Sequence, residues 1–296
     1  MERPPIVAST HETSPLEQRV NSAYARAIGQ HEVLRRMPSH ELKPFIREIL
    51  SEIDVLETAG ERDRVPRLAV SPDVARSVGA IWTFAGPGTY DEPVKEDRYK
   101  HLPWARNMDR NRLNYTARLA RHITEAALNV SLKGPLGAVE KIKERTKNAM
   151  REAGPAIIYN GAPIENKTVR DVLAREGTVV PAERVFVLGE GINNTVDQIK
   201  DFVLPDGVLA GGKKLALVSH APHLARIVRM LNRYRPLPEG TEILLFPLPT
   251  PAEGKEEYAE METAGILYYV YVSPHHDATR APYPYHMNEL ASPLSS

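Results

Sequence analysis

The chain has no cysteine among its 296 residues. That removes disulfides, thiolate metal sites and cysteine nucleophiles together. No run of about 18 apolar residues occurs, so no membrane-spanning helix is expected. Neither sign of charge is in excess, with 38 Lys+Arg against 38 Asp+Glu. A nucleic acid or an anionic membrane is therefore not an expected partner. The start Met1-Glu2-Arg3-Pro4-Pro5 lacks the apolar stretch of a signal peptide, and the expectation is a cytoplasmic protein. Also missing are the G-x-x-x-x-G-K-[ST] phosphate loop, the G-x-G-x-x-G dinucleotide fingerprint and the G-x-S-x-G nucleophile elbow.

What is present, with 42% hydrophobic and 26% charged residues, fits one large globular domain or one domain with an appendage. Residues 1–13 read as a disordered lead, 14–77 as a helical extension, 78–272 as an α/β domain and 273–296 as an irregular, proline-rich tail. Ser14-Pro15-Leu16-Glu17 supplies an N-cap, a proline at the first helical position and a capping glutamate, predicting a helix to about Met37. Pro38 breaks it, Ser39 caps a second helix, and Gly60 is expected to end that one. Both helices carry apolar stripes. They either cap the main domain or form a homodimer surface, and the cap is favoured.

From Val78 the pattern changes to short apolar runs separated by amphipathic segments. Strands are expected at 78–84, 156–159, 185–188, 215–218 and 243–246, with helices at about 108–128, 167–175, 195–203 and 223–234 and a charged one ending near Gly154. The segment 266–272 reads as a strand, or 256–269 as one helix. Continuous apolar strands alternating with helices imply an α/β fold whose mainly parallel sheet is covered on both faces.

In such a sheet, ligands sit beyond the carboxyl ends of the strands. The expected strands end in Gly86-Pro87-Gly88-Thr89, in Asn160-Gly161 followed by Glu165, in Glu190-Gly191-Ile192-Asn193-Asn194-Thr195, and in Ser219-His220-Ala221-Pro222-His223 with Arg226 one turn on. Each has a plain structural reading. Gly86 and Gly88 serve a turn, Asn194-Thr195 caps a helix at a gain of about 1 kcal/mol, and His223 and Arg226 face water. Their convergence on one edge favours function. A histidine and an arginine on one helix face at a crevice suit an anion, Glu190 has no structural duty, and Arg112 stands near enough to its helix start to reach the crevice. His220 and His223 have a metal-pair spacing without a clear third ligand, so no metal site is expected. His275-His276-Asp277 reads as solvated.

Several of these segments resemble the YdcF/SanA/ElyC-like family, a domain-of-unknown-function family. Val218-Ser219-His220-Ala221-Pro222-His223-Leu224-Ala225-Arg226 is similar to its V-T-S-x-x-H-x-x-R-A, and Asn194-Thr195-Val196-Asp197 to its N-T-x-E-N. Asn160-Gly161 with Glu165 resembles S-G-G…-E-A, Arg112-Leu113 the R-L opening the first helix, and the strand ending in Gly86 its V-L-G-G. The resemblance spans about residues 78–250 in the family's order. Gln198 stands where the family has asparagine, His220 replaces a small hydroxyl residue, and Pro87 interrupts the glycine pair. The resemblance implies a Rossmann-like three-layer α/β sandwich with a charged cleft suspected of enzymatic work. It also implies links to envelope metabolism for membrane-anchored members, a role not carried over without an anchor.

The resulting expectation is an enzyme acting on a small anionic metabolite, phosphorylated or nucleotide-like, with its reaction class open. Glu165, Glu190 and His223 form the expected catalytic set. Gly86, Gly88, Arg112, Asn160, Gly161, Asn194, Thr195, Ser219 and Arg226 form the expected ligand-binding set. Arg112, His223 and Arg226 hold the anion, while Glu165 and Glu190 transfer protons or hold a divalent cation. Arg226→Ala is expected to weaken binding far more than stability. The rival reading is a non-catalytic or regulatory protein holding a nucleotide or adenosyl ligand. A weaker one is a scaffold dimerising through the N-terminal helices.

Overall fold

Strand residues of this chain divide by parity. In the computed structural model, which describes residues 14–62, 71–86, 99, 102–132, 139–162, 165, 166, 169, 180–189, 192–209 and 214–287, six strands form one sheet. They are β1 (Val78–Thr83), β2 (Ala156–Tyr159), β3 (Val185–Val187), β4 (Lys214–His220), β5 (Glu242–Leu248) and β6 (His286–Met287). The order is β3-β2-β1-β4-β5-β6 and every pairing is parallel. Ala80, Trp82, Ile158, Leu215, Leu217, Ile243 and Leu245 point into one core. Ile81, Ile157, Ala216, Val218, Leu244 and Phe246 point into another on the opposite face. A side-chain period of two with both faces apolar is what a doubly covered sheet requires. This is a Rossmann-like α/β fold, and its strand order reverses between β1 and β4.

The first core is covered by α1 (Pro15–Gln30), the short α2 (Glu32–Arg36) and α3 (Ser39–Arg62). The second is covered by α4 (Pro72–Ser77), α5 (Met108–Leu128) and α6 (Val139–Ala153). Beyond these lie α7 (Thr195–Lys200), α8 (Ala221–Tyr234) and α9 (Lys255–Leu267), all against the first core. Phe45, Ile46, Ile49 and Ile53 of α3 share that core with Ile227 and Leu231 of α8. The N-terminal helices are thus part of the sandwich itself, and the apolar stripe that suggested a dimer surface is buried within the chain. The buried Arg229 of α8 ties the layer down, pairing with Glu52 of α3 at 2.5 Å and donating to Arg280 O at 3.1 Å.

Several expected boundaries differ. Ser14 caps α1 by accepting from Glu17 N at 3.3 Å, as its sequence suggests. The helix stops at Gln30, however, because His31 turns extended (φ −136°, ψ 123°) and sets its ring 4.8 Å from that of Tyr268. Gly60 does not end α3. It lies inside the helix, where a Cβ would meet Pro247 O at 2.9 Å, so its missing side chain lets α3 settle on the end of β5. The helix expected to reach 203 ends at Lys200. The segment 266–272 is not a strand, since α9 passes into a π-helical turn at Tyr268–Val272. The tail is not wholly irregular, because His286 and Met287 pair with Leu244 and Leu245. The expected helix at 167–175 falls almost wholly outside the described residues.

A single core shared by α3 and the sheet makes the two unfold together. Ile46→Ala, which empties a fully buried site, is expected to cost about 2–5 kcal/mol. Urea melts followed by far-ultraviolet circular dichroism and by tryptophan fluorescence should shift together. Two separated transitions would show that the helices are an independent appendage.

Candidate functional site

Where the strand order reverses, the connections leaving β1 and β4 run to opposite faces of the sheet and open a crevice between them. A cleft of about 220 Å³ lies there, walled by Ala85 and Gly86 after β1, Arg112 from α5, Thr195 and Gln198 from α7, and His223 and Arg226 from α8. Glu165, Asn194, Tyr99, Tyr258, Glu262 and Tyr269 complete most of its lining. Expected site residues Gly86, Arg112, Glu165, Asn194, Thr195, His223 and Arg226 therefore share one cavity.

Arg112 organises this site. It is 0% exposed, yet its acceptors are all neutral. Nε donates to His220 Nδ1 at 3.2 Å, Nη1 to Phe84 O at 3.0 Å, and Nη2 to Met108 Sδ at 3.0 Å and His223 Nδ1 at 3.3 Å. Among the described residues, no carboxylate pairs with it. One Nη1 hydrogen remains for the cleft, and the charge is met by no ion pair among the described residues. Gly86 makes room for this arrangement, because a Cβ there would lie 2.9 Å from Arg112 Nη1 and 2.7 Å from Met108 Sδ. Its amide is held by Asp109 Oδ1.

A guanidinium only donates, so the Nδ1 atoms of His220 and His223 must both be bare acceptors, with their protons on Nε2. Burial, reinforced by Arg112, pushes the His220 pKa well below its ordinary value. Trp104 and Tyr258 pack around that ring at 5.3 and 6.4 Å. The Nε2–H of His223 then points to Thr195 Oγ1 at 3.2 Å, and Arg226 Nη2 donates to the same oxygen at 3.5 Å. Thr195 accepts both, which turns its own hydroxyl hydrogen toward the cleft. His223 is consequently not placed to take a proton from Thr195. Its geometry is that of a positioning residue, whereas the sequence reading set it in the catalytic set and among the residues that hold the anion. Ser219 does not line the cleft; it sits behind His223, with Oγ 3.0 Å from Nδ1.

Arg226 differs from Arg112. Its Nε lies 2.9 Å from Glu262 Oε2, both side chains being buried. Burial works against its charge, but Glu262 and the surrounding tyrosines outweigh burial and hold the guanidinium above its ordinary value. Tyr99 donates to Glu262 Oε1 at 3.2 Å. The expectation that Arg226 holds an anion meets a charge already balanced, and the uncompensated cation is Arg112. Burial, followed by Glu262, also raises the Tyr258 pKa, so that wall of the cleft is a neutral phenol.

Two expected ligand-binding residues instead hold others in place. Asn160 accepts from Trp82 Nε1 at 2.8 Å and donates to Gln198 O at 2.7 Å, fixing α7 to the sheet. Gly161 leaves space for Glu165, whose Oε2 would lie 2.6 Å from an added Cβ; that oxygen accepts from Ala162 N. Asn194 lines the cleft but spends its oxygen capping α7, at 2.8 Å from Val196 N and 3.1 Å from Asp197 N. Gly88 and Glu190 lie outside the described residues. Tyr99, Tyr258, Glu262 and Tyr269 were not foreseen. Tyr258 and Glu262 stand four residues apart on α9, a spacing that the helix alternative for 256–269 sets on one face.

Two outcomes follow. Because the folded state keeps His220 neutral below its ordinary value of 6.5, the unfolded chain protonates first as pH falls. This contribution is complete above pH 6.5 and is lost at up to about 1.4 kcal/mol per pH unit below it. His220→Asn, which keeps an acceptor for Arg112, should flatten that acid limb in urea melts; an unchanged slope would contradict it. Arg226→Ala should cost about 3–5 kcal/mol of stability, because Glu262 is left buried and uncompensated. This reverses the expectation from sequence, and a melting midpoint within a degree or two of wild type would count against the pairing.

No family model, curated protein or solved structure matches the chain.

Proposed function

We propose that this chain is an enzyme acting on a small anionic metabolite, phosphorylated or nucleotide-like, in the cleft between β1 and β4. The observation that carries the reading is Arg112, a fully buried guanidinium with neutral partners on the cleft wall. An anion about 4 Å from it would gain about 4 kcal/mol at the effective dielectric of such sites. Thr195 adds a hydroxyl donor and Gly86 removes the side chain that would block approach. Glu165, held by Ala162 N on the same wall, is the proton-transfer group in this reading. Membership of the YdcF/SanA/ElyC-like family belongs to the same proposal, supported by the way its motif residues Arg112, Thr195, His223 and Arg226 meet in one cleft.

A second reading, a non-catalytic protein holding a nucleotide or adenosyl ligand, draws on a different observation. Both histidines of the site turn Nδ1 to Arg112, which fits a rigid binding frame. Titration calorimetry with inorganic phosphate and a panel of phosphorylated metabolites addresses both readings. Arg112→Met should weaken anion binding by about 1.5–3 kcal/mol, roughly 12- to 160-fold. Glu165→Gln should keep affinity and lose turnover. Equal affinities for wild type and Arg112→Met would remove the anion site. Binding without turnover by wild type would favour the second reading.

A further inference from the structure

We propose that Gln198 reads a hydroxyl group on the ligand whose anionic group Arg112 holds, which makes the substrate class hydroxylated anions such as polyol phosphates. This rests on the anion reading of the cleft. Gln198 is 5% exposed and lies on the cleft wall, and its side-chain Oε1 is buried with no hydrogen-bond partner. Buried polar atoms are nearly always paired, so one left unpaired at a cavity wall marks where a ligand donor goes. Its backbone is held in place: Gln198 O accepts from Asn160 Nδ2 at 2.7 Å, and Asn160 is itself fixed by Trp82 at 2.8 Å, so the position of α7 on the cleft wall is set. Phe202, one turn on, stacks against Trp82 with ring centroids 3.7 Å apart and locks the same helix.

Thr195 and Gln198 stand three residues apart on α7 and both line the cleft. That spacing places their Cβ atoms about 5–6 Å apart. Thr195 offers a donor hydrogen and Gln198 an acceptor oxygen, so one helix face presents complementary groups to a single small molecule. An anionic oxygen at Arg112 and Thr195, with a hydroxyl a few bonds away at Gln198, satisfies both. A ligand without hydroxyls would leave the Gln198 oxygen buried and unpaired, and would bind less well for that reason.

The test uses two matched pairs of probes on the full chain, glycerol 3-phosphate against propyl phosphate and glycerate against propionate. Wild type should prefer the hydroxylated member of at least one pair by about tenfold or more. Gln198→Leu should bring that preference to near unity while leaving affinity for the unhydroxylated member unchanged. It should also melt no lower than wild type, because the bond from Asn160 is to the backbone and survives the substitution. A preference that survives in a folded Gln198→Leu protein overturns this proposal alone, as does wild type that binds both members of each pair equally. Wild type that binds none of the four probes overturns the anion site and this proposal with it.

Discussion

Moving a guanidinium out of water costs several kcal/mol, and an apposed carboxylate usually offsets it. At Arg112 the offset comes from two imidazole nitrogens, a carbonyl and a thioether. Neutral acceptors satisfy hydrogens but leave the charge. That one circumstance sets much else in the cleft. It forces both histidines into the tautomer that carries the proton on Nε2, and through His223 it fixes which way the Thr195 hydroxyl faces. It also sets Arg112 Nη1 and Met108 Sδ where a side chain at position 86 would make one of them shift. Proteins keep such unbalanced groups at binding sites, at a cost in stability, because the missing counter-charge is supplied by what binds.

The cleft holds a second arginine that is handled in the opposite way. Arg226 and Glu262 form a buried pair, with Tyr99 and Thr195 taking up remaining polar atoms. A balanced pair and a cation without a carboxylate partner give the two sides of one cavity different charge. Around them the sheet provides the rigidity. Trp82 stacks on Phe84 and Phe202 and donates to Asn160, so β1, β2 and α7 move as one body. Polar groups on loops gain precision from such a frame.

How much of this could be read from the residues depended on sequence distance. The α/β sandwich was legible because strands buried on both faces are short continuous apolar runs, and α5 matched its expected bounds of Met108–Leu128. The glycine and asparagine loops pointed to the edge of the sheet where the cleft lies for the same reason. What stayed hidden were partners far apart along the chain. Arg112 meets His220 across 108 positions, and Arg226 meets Glu262 across 36. No local pattern says which of two similar arginines is neutralised. The partners of Asn160, Trp82 and the Gln198 carbonyl, stayed hidden because a buried asparagine at a strand end looks the same whether it holds a ligand or a helix. The parallel edge strand β6 escaped because two residues carry no periodicity.

The central claim, that Arg112 is an uncompensated cation holding two neutral imidazoles, can be checked directly on the protein without any ligand. Long-range proton–nitrogen correlation spectra of selectively labelled histidine, assigned with His220→Asn and His223→Asn, report the protonation of each ring nitrogen. The account predicts that both rings are neutral at pH 7 with the proton on Nε2. It also predicts that Arg112→Met releases at least one of them to the other tautomer or to the charged form. An imidazolium or an Nδ1–H tautomer for either ring in the wild-type protein would contradict it.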